Sequence, residues 1–109
     1  MGFQTGAALL DAVVLAVVSR DEAGTYGYRI TQEVRGVLDI SESTLYPVLR
    51  RLQKNGCLDT YDREYAGRNR RYYRITPEGD AQLASYKQEW REYSGRINRI
   101  FACEGGDQD

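Results

Sequence analysis

The feature that most constrains this chain is a change of period at Gly56. Before it, apolar residues recur at helical spacing: Ile30, Val34, Val37 and Leu38 in one segment, Leu45, Val48, Leu49 and Leu52 in the next. After it, Leu58, Thr60 and Asp62 alternate with Cys57, Asp59, Tyr61 and Arg63, and residues 71–76 (RYYRIT) favour strands. Ala66-Gly67-Arg68-Asn69 lies between them as a glycine-containing loop, so the segment reads as a hairpin. Thr76 followed by Pro77 is a cap and first helical residue, which returns the chain to helix.

The rest of the chain fits around that switch. Residues 7–20 predict a first helix, apolar on most sides and therefore covered by several neighbours. A turn over 21–24 leads to a second helix at 26–38, weakened near its end by Gly36. Ser41 can cap a third helix reaching Asn55, with Gly56 as its stop. The last helix runs from Pro77 to about Phe101, and the acidic, glycine-containing tail is expected to be disordered. The fold class is mainly α with a small β-hairpin: a winged helix-turn-helix domain (1–76), a C-terminal dimerisation helix (77–103) and a tail (104–109).

Charge is distributed unevenly. From Tyr46 to Ile75 eight basic residues face three acidic ones, a net of +5 in a chain whose total is −1. A basic segment in a neutral chain suits a polyanion, although a solvated surface accounts for charge alone equally well. The chain has no histidine, and Cys57 and Cys103 lack ligand spacing, so histidine acid–base chemistry, nucleophilic pairs and ordinary zinc sites are excluded. The reading has no catalytic residue, metal or cofactor. Two distant cysteines fit a reducing cytoplasm, and the apolar run at 9–18 is about half the ~20 residues that span a bilayer, so no membrane partner is expected.

On a helical wheel, Leu45, Val48, Leu49 and Leu52 form the core stripe of the third helix. Ser43, Pro47, Arg50 and Lys54 collect opposite, flanked by Tyr46 and Arg51. A helix with such a face fits the major groove of double-stranded DNA, where Arg pairs with guanine. Lys54, Arg51 and the Tyr46 hydroxyl are candidates for phosphate. The hairpin tip adds Arg68, Asn69, Arg70 and Arg71, where a wing would follow the DNA backbone. Two other readings stay open: a charged edge that blocks strand aggregation, and a winged-helix protein–protein interaction module without specific DNA binding.

Tyr26-Gly27-Tyr28-Arg29-Ile30, then Ser43 to Leu52 (STLYPVLRRL) and Gly56, resemble the GYxI and TLYPxLxRL motifs of PadR-like regulators. Arg70 to Gly79 (RRYYRITPEG) resembles that family's RKYYxLTxxG. The resemblance covers about residues 8–80, in order and spacing. It implies a dimeric repressor on inverted-repeat DNA, released by a small molecule or another stress signal. It also implies that Thr44, Tyr46 and the wing approach DNA, with Tyr26 and Tyr28 near its backbone. Tyr28, Tyr72 and Tyr73 can equally be packing aromatics.

Along the last helix Leu83, Tyr86, Trp90, Tyr93, Ile97 and Ile100 are spaced 3, 4, 3, 4, 3, a seam suited to a homodimer contact or to packing on the first helix. Gly95 suggests close approach or bending. The position of Trp90 is similar to that in small PadR-like members that sense planar drugs between paired tryptophans. Tyr86, Trp90 and Tyr93 are thus candidates to line a site for a small hydrophobic or aromatic effector, or simply to fill the interface.

Overall fold

The computed structural model describes residues 6–106. The order is α1 (Ala7–Ser19), β1 (Thr25–Tyr26), α2 (Gly27–Arg35), α3 (Glu42–Lys54), β2 (Leu58–Tyr65), β3 (Arg68–Ile75) and α4 (Pro77–Gly106). The sheet has three strands rather than two, antiparallel in the order β1-β3-β2. The extra strand is Thr25–Tyr26, paired with Tyr73 and Tyr72. Tyr26 is extended, so α2 starts at Gly27, one residue later than its apolar pattern predicts.

α2 also stops early. Gly36 caps it, and Val37 is 71% exposed instead of joining Ile30 and Val34 in the core. α3 follows its wheel: Leu45, Val48, Leu49 and Leu52 are buried against α1 and α2 residues such as Leu15, Val18 and Ile30. Enclosing each such side chain contributes about 1.5–3 kcal/mol. Ser41 stands before α3, but its hydroxyl bonds those of Ser43 and Thr44, 3.0 Å from each, and makes no side-chain bond to a helix amide.

The hairpin is tighter than its sequence suggests. Tyr65 pairs with Arg68, which leaves a two-residue tip, Ala66-Gly67, and places Arg68 and Asn69 in the strand. Both tip residues have positive φ (54° and 80°), as a type I′ turn requires and as glycine tolerates far better than alanine.

α4 begins at a knot. The Thr76 hydroxyl accepts from the Gly79 amide (2.9 Å) and donates to the Gly56 carbonyl (2.6 Å), while the Thr76 amide donates to the Cys57 carbonyl (3.1 Å). The helix then runs for 30 residues, roughly 45 Å at 1.5 Å per residue. It is helical through Gly106, and residues 107–109 of the expected tail lie outside the described residues. α1 is 13 residues long and covers only the first half of α4. Leu83 is accordingly 5% exposed within this chain's own core, and Tyr86 packs half-buried against that core, so the start of the seam is already engaged within the chain. Farther along, Trp90, Ile100 and Phe101 are exposed. Nothing lies within 4 Å of a Cβ built on Gly95, so no close approach occurs there within the chain.

Candidate nucleic-acid interface

α3 presents Ser43, Thr44, Pro47, Arg50 and Lys54 to solvent, with Tyr46 half-buried at the edge. Beside it, β3 and the start of α2 form a cleft of about 400 Å³ lined by Tyr26, Gly27, Tyr28, Tyr46, Arg70, Arg71 and Tyr73. Five of the predicted DNA residues, from three separate segments of sequence, meet there: Tyr26, Tyr28, Tyr46, Arg70 and Arg71. Gly27 lets α2 approach Tyr46 closely, since a Cβ at that position would lie 3.2 Å from its ring.

Helix and wing share this side: the cleft is lined by Tyr46 of α3, by Arg70 and Arg71 of β3, and by Tyr73. Tyr73 is buried, as packing predicts, and burial raises its hydroxyl above the usual tyrosine value, while the positive charges of Arg71 and Arg50 pull the other way. Tyr28 proves to be no core aromatic, at 56% exposed. Arg68 and Asn69 stand exposed beside the tip. Arg71 approaches Asp62 at 4.0 Å with both side chains well exposed, a pairing of little energetic consequence.

Arg51 goes elsewhere. Its guanidinium forks onto the Asp11 carboxylate (3.0 and 2.6 Å), so it leaves the phosphate-facing set to which its wheel position assigned it. Asp11 is 6% exposed, and a carboxylate that enclosed requires a partner. Asp11 holds the Arg51 guanidinium above its ordinary value, chiefly through this hydrogen bond.

The outer face of the sheet holds what sequence reasoning missed. Tyr61 and Tyr72, cross-strand partners, stack with ring centres 5.4 Å apart. Arg63 lies over Tyr72 and Arg74 over Tyr61, while Arg70 sits 4.3 Å from the ring centres of both Tyr26 and Tyr65. The Tyr61 hydroxyl donates to the Ala23 carbonyl, tying the wing to the α1–β1 turn. The signal was present: odd positions 61–65 and even positions 70–74 are all Tyr or Arg. It becomes readable only with the hairpin register.

Away from the sheet residues, Leu9, Ala12, Val13 and Ala16 of α1 and Leu83, Tyr86, Lys87 and Trp90 of α4 line an apolar groove of about 290 Å³. Tyr93 adjoins it through a ring contact with Trp90 (6.1 Å). Among the described residues no cluster of metal-binding side chains occurs, and no helix is long and apolar enough to cross a membrane.

The family model described as the transcriptional regulator PadR-like family matches residues 14–85, well over half of the chain. The chain is similar throughout its length to the crystal structure of smu.1704 from Streptococcus mutans UA159, with 38% identity, TM-score 0.83 and 100% of each chain covered. It is also similar to a PadR family transcription regulator from Clostridium difficile R20291, with 28% identity, TM-score 0.76 and coverage of 84% of this chain and 97% of that one. A transcriptional regulator of Mycobacterium tuberculosis, Rv3488, is 38% identical over 73 residues, 66% of this chain and 68% of that protein.

Proposed function

Because this chain belongs to the PadR-like family of transcriptional regulators, a family of regulators and not of enzymes, we propose that it is a sequence-specific DNA-binding repressor. It acts in the cytoplasm as a homodimer on an inverted repeat. The observation that carries this reading is the cleft in which Tyr26, Tyr28, Tyr46, Arg70 and Arg71 meet from three segments of sequence, beside the exposed face of α3 that carries Arg50. In this reading α3 enters the major groove with Ser43, Thr44, Pro47 and Arg50 against base edges. Tyr26, Tyr28, Tyr46, Lys54, Arg68, Asn69, Arg70 and Arg71 meet the backbone.

Dimerisation is assigned to the half of α4 that overhangs α1. Trp90, Ile100 and Phe101 are exposed there, and Tyr93 and Ile97 are half-buried on the same stripe. A second copy of α4 would cover them, as exposed apolar stripes on long helices require. The α1–α4 groove is the place for an effector, a flat apolar molecule stacking on Trp90 and Tyr86 with Tyr93 alongside. Titrating planar aromatic compounds against Trp90 fluorescence tests this; a flat response across the series removes the effector from the proposal.

The DNA reading is tested by selecting genomic fragments bound by the purified chain, followed by salt-titrated anisotropy on the recovered site. Arg50→Ala weakens specific binding by about 1–3 kcal/mol and relaxes base preference, while Arg68→Ala lowers the salt slope by about one. Unchanged binding in both variants refutes the assignment. Absence of any binding by the wild type at low salt would leave a protein-interaction module in its place.

A further inference from the structure

Asp11 occupies a junction that the DNA reading does not use. It sits on α1, 6% exposed, and three donors reach its carboxylate. Two come from the Arg51 fork on α3 (3.0 and 2.6 Å), and the third is the Tyr86 hydroxyl on α4 (3.3 Å). Three helices are therefore joined at one anion. The fork fixes orientation as well as distance, because both guanidinium nitrogens must stay in the carboxylate plane. Arg51 adjoins Arg50, so a rotation of α3 that strains the fork also re-aims Arg50. Tyr86 lies one turn before Trp90 on the face that α4 turns toward the groove. Its bond is the longest of the three and yields first when α4 shifts.

We infer that Asp11 is a positioning residue, which sets the angle between the recognition helix α3 and the dimerisation helix α4 and hence the separation of the two α3 helices in the homodimer. The second half of this statement rests on the DNA-binding, dimeric reading; the first half does not. A purely structural ion pair would contribute stability without setting that angle. Asp11 differs because its donors come from the two helices whose relative angle matters. Without the Asp11 charge the Arg51 guanidinium, 45% exposed, turns to water, and α3 and α4 lose a group that holds both.

The test uses the full-length chain with Cys57 and Cys103 replaced by alanine and spin labels at Asn55 and Arg99, diluted in excess unlabelled chain so that only intrachain distances are read. Asp11→Asn removes the charge, and Tyr86→Phe removes one hydroxyl with little risk to folding. In wild type the distance distribution is narrow; both variants broaden it, Asp11→Asn the more. On DNA, wild type loses at least tenfold in affinity when the half-site spacing changes by one base pair. The variants discriminate within about threefold while keeping wild-type affinity for an isolated half-site. If both variants lower the melting temperature but keep the wild-type distance distribution and spacing preference, Asp11 is a structural ion pair and the inference is overturned. If wild type binds no DNA, the repressor reading fails, and the label distances alone decide the role of Asp11.

Discussion

Gly79→Ala is expected to destabilise the fold although alanine is the better helix former. A Cβ built on Gly79 runs into the Cys57 carbonyl and lies 2.7 Å from Ile75 Cγ1. Neither obstacle is the free end of a flexible side chain, so the start of α4 must lift away from the β2 entry. Lifting stretches the Gly79–Thr76 bond (2.9 Å) and the Thr76 contacts with Gly56 and Cys57. Overpacking of this kind costs roughly 1–3 kcal/mol, and a weakened cap about 1 kcal/mol more. The gain of alanine over glycine in a helix offsets up to about 1 kcal/mol. The net loss is about 1–3 kcal/mol, or roughly 5–20 °C in melting temperature for a domain this small. Gly95→Ala, on the same helix with nothing within 4 Å of the new Cβ, has the opposite sign, a gain of up to ~1 kcal/mol. Urea unfolding followed by circular dichroism, at one fixed protomer concentration, measures both. If Gly79→Ala matches or exceeds wild type, the Cys57 carbonyl is not the obstacle described here.

Ala66→Asn relieves a positive-φ alanine in a type I′ turn and should stabilise the chain by about 0.5–1 kcal/mol in the same assay. Burial, then the charge of Asp11, raises the Tyr86 hydroxyl above 10.0. Its contribution is complete below the unfolded tyrosine value of about 10 and is lost as pH climbs toward the folded one. Tyr86→Phe should therefore show a shallower loss of urea midpoint above pH ~10; an identical alkaline limb counts against the Asp11 contact. Ile100→Asp, on the overhanging part of α4, should shift sedimentation toward monomer while leaving the circular dichroism of the isolated chain intact.

How much of the fold and site is legible in the sequence depends on the range of each signal. Helical stripes are local, so Leu45, Val48, Leu49 and Leu52 fell where their spacing put them. The Thr76-Pro77 start was equally local. Tyr26, Tyr28, Tyr46, Arg70 and Arg71 were nominated separately, and folding brought them into one cleft. Arg51 shows the limit: its wheel position is ambiguous, and only a carboxylate forty residues away decides where it points. β1 is two residues long, too short for any alternation to show. The outer sheet face stayed hidden because it depends on a two-residue tip; a four-residue loop such as 66–69 leaves the pairing of the two strands undefined. Leu83 and Tyr86 sit on the same seam as Ile100, and periodicity cannot say where α1 ends along α4.

The tyrosine rings beneath Arg63, Arg70 and Arg74 change what these cations would lose on meeting a polyanion. A guanidinium on a floppy loop sacrifices torsional freedom when it docks. One already held over a ring gave up part of that freedom when the protein folded. The hairpin is in that sense a stiff charged plate rather than a flexible arm. Replacing those rings with leucine would slacken the plate without removing a single charge.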